Sequence, residues 1–136
     1  MKNNFSFPVL EHPAPACDSD RAIDLAKSWM DLDKNTTIMP LVSERDRNFL
    51  ISTSEEKAVL KISNHKEERG VLELQTEALL HLQETTSLNL PKAKKNIDGE
   101  YLLQKDVGGE DCYVRIVSYI EGIPLDDVRA KIPDPR

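Results

Sequence analysis

Glycine is scarce in this chain, 5 of 136 residues, and the polar connection Ser43-Glu44-Arg45-Asp46-Arg47 holds none of them. A glycine-rich loop that wraps phosphates is therefore excluded there, and any anion cradle would depend on backbone N–H groups and on Arg45 or Arg47. Cysteine is scarcer still. Cys17 and Cys112 stand far apart with neither metal-ligand spacing nor a second pair, which argues against a zinc site or redox dithiol and for reduced thiols. Aromatic residues make up only 5%. No apolar run reaches the length of a membrane span, and no leader-like apolar segment opens the chain, so the cytoplasm is the expected compartment. Positive charge is in deficit, with a net charge of −6, which opposes non-specific binding to nucleic acid or an anionic membrane. His12, His65 and His81 form no cluster. Acid/base pairs, nucleophile triads and metal-ligand sets are absent, and no internal repeat is visible.

What remains is the composition of a single globular domain, 39% hydrophobic and 31% charged. Residues 1–18 carry Pro8, Pro13 and Pro15 and read as an extended arm. Asp18 or Ser19 can then cap a helix with the apolar stripe Ala22, Leu25, Ala26 and Trp29, the tryptophan serving as a core anchor. Three strands are expected at Thr36–Val42, Asn48–Thr53 and Lys57–Ser63. Their short polar connections favour an antiparallel meander. Glu67–Glu84 is the strongest helix, with Val71, Leu74, Ala78, Leu79 and Leu82 on one side of its wheel. A hairpin of Tyr101–Lys105 and Cys112–Ile120 completes an α+β fold: a five-stranded antiparallel sheet, one long packed helix and an N-terminal helix. Residues 19–124 form this lobe, and 125–136, where Pro133 and Pro135 stop a short helical pattern, read as a linker towards a lobe that is missing.

One residue stands out against this background. The strand Ala58-Val59-Leu60-Lys61-Ile62-Ser63 carries a lysine in an otherwise aliphatic run. Burying an ammonium costs several kcal/mol unless an anion or hydrogen-bond partner compensates it, and a nucleotide phosphate is a common anion for such a lysine. Strand alternation places Val59 and Lys61 on one face and Ala58, Leu60 and Ile62 on the other. If the second face packs on the helix, the first roofs a pocket. The plainer alternative is a lysine whose stem lies along the sheet with its amine in water. On the long helix the wheel selects Gln75 as the inward polar partner for Lys61, with Glu73 and Glu77 pointing away. Spacing from Lys61 alone would instead choose Glu77.

The order of elements resembles the N-terminal lobe of aminoglycoside-phosphotransferase-like kinases. The residues that carry this are Asp46-Arg47-Asn48-Phe49, Val59-Leu60-Lys61-Ile62-Ser63-Asn64, Leu74-Gln75 with His81-Leu82, and Val114-Arg115 through Tyr119-Ile120-Glu121-Gly122. The likeness is greatest to the hydroxylysine kinase and homoserine-kinase-type-II group, some members of which are fused to a class III aminotransferase. By that resemblance ATP is the expected ligand and an amino acid or amino alcohol the expected acceptor class. Lys61 would position the α and β phosphates, with Gln75 in the helix position that is acidic in many relatives. Val59 would cover the adenine and Val117 would be the gatekeeper. In the segment Ser118-Tyr119-Ile120, Ser118 would offer its carbonyl and Ile120 its N–H to the adenine.

The departures limit the expected activity. None of the three histidines is followed by x-Asp, as a kinase catalytic loop requires, and no magnesium-binding motif follows. The resemblance puts those residues, and the Mg2+, in a C-terminal lobe, so this chain alone is expected to be inactive, with no catalytic and no metal residues of its own. A different class of function is a non-catalytic module that uses the same fold to self-associate. A homodimer through the inter-lobe face around Val117 to Leu125 is expected under either reading.

Overall fold

The computed structural model describes residues 14–43, 45–87 and 89–119. Asp18 caps the first helix, α1 (Ser19–Ala26), by accepting the Arg21 backbone N–H at 2.8 Å. Its buried residues, Ala22, Leu25 and Ala26, continue into Trp29 and Met30. The strands are β1 (Thr37–Leu41), β2 (Arg47–Ser52), β3 (Lys57–Ile62), β4 (Leu103–Val107) and β5 (Glu110–Ser118), with the long helix α2 (Arg69–Thr85) between β3 and β4. They form one antiparallel sheet in the order β1-β2-β3-β5-β4. The expected fold class and meander are therefore observed. Pro40 lies in β1, an edge strand, where a missing backbone N–H is tolerated.

The second hairpin is tighter than expected. Instead of a six-residue connection, Gly108 and Gly109 make a two-residue turn with φ of 65° and 90°, the positive values that such a turn demands. Asp106 accepts the Gly109 N–H at 3.0 Å and fixes it. Gly108 is also required by space: a Cβ there would lie 2.7 Å from the Ala16 carbonyl oxygen. Residues just before α1 thus lie on the sheet, and Pro15 is buried, its carbonyl accepting Arg47 Nε at 3.1 Å.

Two expectations about packing need correction. The face carrying Ala58, Leu60 and Ile62 does pack on a helix, but on α1 rather than the long helix. These residues join Phe49, Ile51, Val114 and Ile116 with Ala22, Leu25, Ala26, Trp29 and Met30 in one apolar cluster. Trp29 completes the cover by donating its indole N–H to the Lys94 carbonyl at 3.0 Å.

The long helix is also turned from the orientation its wheel suggests. α2 buries Leu72 and Thr76, whereas Val71 is 41% and Leu74 67% exposed. Gln75 and Ala78 are exposed too, and Leu79 and Leu82 are half-buried. A threonine can occupy the packed side because its hydroxyl donates to the Leu72 carbonyl at 3.0 Å, which removes the cost of hiding it. The first half of the apolar stripe of α2, Val71, Leu74 and Ala78, therefore faces outward, while Leu79 and Leu82 are partly covered.

Candidate functional site on the inner sheet face

Directly opposed residues of antiparallel strands share a face, so the register defines rows across the side opposite α1. Met39, Leu50, Val59 and Val117 form an apolar row. Two residues along the strands, Leu41, Asn48, Lys61 and Arg115 form the next. The inner face thus has an apolar part near the end of β5 and a cationic part further from it. Lys61 is half-buried. Val59 is fully buried and Val117 7% exposed, so Val59 is already covered by the chain itself and is not an open roof.

The end of β5 is held firmly. Ala93 pairs with Val117 beyond the end of β4, and Ser118 donates its N–H to the Lys92 carbonyl at 2.8 Å. The Ser118 hydroxyl accepts the Lys92 N–H at 2.8 Å. Neither bond uses the Ser118 carbonyl, the group expected to meet an adenine. Tyr119 donates its N–H to the Lys57 carbonyl at 3.2 Å. Ile120 lies outside the described residues.

The cationic row is joined by side chains from the β1–β2 turn and from the approach to α2. Arg45 pairs with Glu67 at 3.6 Å, and Asp46 accepts the Asn64 backbone N–H at 3.2 Å. Burial holds the Arg115 guanidinium below the usual arginine range, while Asp46 and Glu67 act in the opposite direction. Arg47 reaches the other side, to Pro15, and is not part of this cluster. Gln75 is on the exposed surface of α2, as is Glu77, which lines a separate cavity of about 350 Å³ with Arg69, Glu73, Tyr101 and Leu102. A second cavity is lined by Thr53–Lys57 and Tyr119. Neither cavity includes Lys61.

Sequence reasoning missed Asn48 and Arg115 as neighbours of Lys61. Alternation along Arg115-Ile116-Val117 would have found the arginine, because it shares a face with Val117.

The sheet order, the lysine-bearing third strand and the helix that follows it are an α+β arrangement consistent, in coarse architecture, with a kinase-like N-terminal lobe. In fold the chain is similar to a solved microcompartment-associated aminopropanol kinase, with a TM-score of 0.63 at 16% sequence identity. The match covers 77% of this chain and 33% of that one, so the chain spans about a third of the length of that solved structure. No protein-family profile and no curated protein sequence matches it. Among the described residues no group of acidic, histidine or cysteine side chains could hold a metal ion, and no helix is long and apolar enough to cross a membrane.

Proposed function

We propose that this chain is the nucleotide-binding part of a small-molecule phosphotransferase acting on an amino acid or amino alcohol, with ATP as the phosphoryl donor. One observation carries the reading: the apolar row of Leu50, Val59 and Val117 lies on the same face as Lys61 and immediately beside its cationic row. That polarity suits a ligand with a flat apolar ring at one end and phosphates at the other. The chemistry such a ligand would supply is a transferable phosphoryl group.

The chain's own residues would bind and orient. Lys61 would hold phosphate oxygens, Val117 would border the ring, and Ser118, Tyr119 and Ile120 would present backbone groups to its edge. Val59 would support the ring from beneath its present cover. Gln75 would reach Lys61 only if α2 rotated, because the helix carries it outward. The His-x-Asp and magnesium-binding motifs of such kinases are not read in this sequence, and on that ground the chain on its own would bind without turnover.

Thermal unfolding with and without ATP tests the reading. A ligand at a hundred times its dissociation constant stabilises the folded state by about 2.7 kcal/mol. ATP should raise the melting temperature of the wild-type chain, and Lys61→Ala should abolish that rise. Unchanged melting of the wild-type chain at millimolar ATP would refute it.

A second reading, a non-catalytic module that self-associates, is favoured by the outward stripe of Val71 and Leu74. Sedimentation showing a dimer that Leu74→Glu dissociates, with no protection by ATP, would select it.

A further inference from the structure

The long helix and the approach to β4 enclose the cavity of about 350 Å³, at the lower end of the size range of small-molecule sites, roughly 300–1,000 Å³. Its most buried lining residues are Leu102, 5% exposed, and Thr76, 6% exposed, with the half-buried Leu80 beside them. Glu73 and Glu77 stand on the α2 wall and Glu100 on the facing one. The facing wall is firmly built. Asn96, itself buried, accepts the Glu100 N–H on its Oδ1 at 2.9 Å and donates its own backbone N–H to the Glu100 carbonyl at 2.7 Å. Three carboxylates thus line the cavity with one cation, Arg69. That guanidinium is already engaged, by Glu73 at 3.6 Å and by the Tyr113 ring at 5.9 Å. Lys95, at the margin, lies 5.7 Å over the Tyr101 ring. Even with both cations counted, the carboxylates remain in excess by one. Among the described residues the Glu77 and Glu100 side chains take part in no hydrogen bond or ion pair.

We propose that this cavity binds a primary aliphatic amine, its ammonium between Glu77 and Glu100 and its alkyl chain against Leu80 and Leu102. An alkylammonium carries three N–H donors and can serve two carboxylates at once. Each methylene of its chain that leaves water strengthens the complex, which an inorganic cation cannot match. The bound amine would join α2 to residues 99–102, adding to the small burial of Leu72 and Thr76 that holds the helix. Lys61 does not line this cavity, so the site stands apart from the inner sheet face and does not depend on the nucleotide reading.

Titration of the isotope-labelled full chain with pentylamine at constant ionic strength, followed by amide NMR shifts, tests the site. Saturable shifts should appear in residues 76–80 and 99–102. Glu77→Gln and Glu100→Gln should each weaken pentylamine about three-fold, as for a partly exposed charge pair, and together about ten-fold. Glu84→Gln, on the same helix but outside the cavity, should leave the affinity unchanged. Absence of saturable shifts at millimolar pentylamine overturns the proposal. So does an equal loss in Glu84→Gln, which would mean general attraction to an acidic chain, and so do the same shifts with sodium chloride or with pentanol, which would remove the need for either half of the ligand. Glu77 and Glu100 are both exposed; should one variant fail to fold, the other decides on the same criterion.

Discussion

The orientation of α2 can be tested by comparing two leucines two residues apart. Leu72 is 2% exposed and Leu74 67%, although the sequence pattern assigns Leu74, not Leu72, to the packed side. Truncating leucine to alanine at a buried site removes about 2 kcal/mol of transfer free energy, to which the cavity left behind adds. Because α2 buries little besides Leu72 and Thr76, its surroundings can partly close. Leu72→Ala should therefore lie low in the usual range, at about 2.5 kcal/mol. Leu74→Ala removes side-chain surface that is mostly in water already, and its loss should be about 0.5 kcal/mol or less. Both substitutions replace leucine by alanine within one helix, so helix propensity cancels in the comparison. Urea denaturation reads the difference: with a slope of roughly 2 kcal/mol per molar, Leu72→Ala should lower the midpoint by about 1 M. Measuring at two protein concentrations separates folding from self-association, since burial of Leu74 in a dimer would make its loss concentration-dependent. Equal losses, or a larger one at Leu74 in the dilute sample, would refute the orientation described here.

Two further outcomes follow from the outer face. Gly108→Ala should destabilise by more than about 2 kcal/mol, because a left-handed φ costs a non-glycine residue about 1–2 kcal/mol and the new Cβ meets Ala16. Gly109→Ala, with a φ of 90° but open space around it, should cost clearly less in the same melts, and the reverse order would contradict the close approach. The Cys112 thiol, 1% exposed, is pushed up to about 11 by burial and by the neighbouring Glu110, Asp111 and Asp106. A thiol reagent at pH 8 should therefore modify Cys17 and reach Cys112 only on unfolding. The unfolded thiol loses its proton first, near 9.0, so what this group adds to stability is present below that pH and is lost as pH rises towards 11. Equal modification of both cysteines in the native chain, read by mass spectrometry, would count against it.

Local chemistry fixed much of this protein before any tertiary contact formed. Asp18 before an apolar stripe specifies a capped helix. Aliphatic runs split by short polar links specify a meander, and period-two alternation places Val59 with Lys61 and opposite Leu60. Each of these signals depends on residues close in sequence. Which helix covers which face is a different kind of fact. It depends on surfaces brought together from distant segments: α1 and Trp29 take the Leu60 side because Lys94 and the strands provide both an apolar bed and an acceptor for the indole. The turn of α2 was hidden for the same reason, since a threonine that bonds its own helix backbone can be buried as readily as a leucine, and no wheel weighs that. Arg115 lies 54 positions after Lys61 in the chain, and only β5 pairing with β3 sets the two charges side by side.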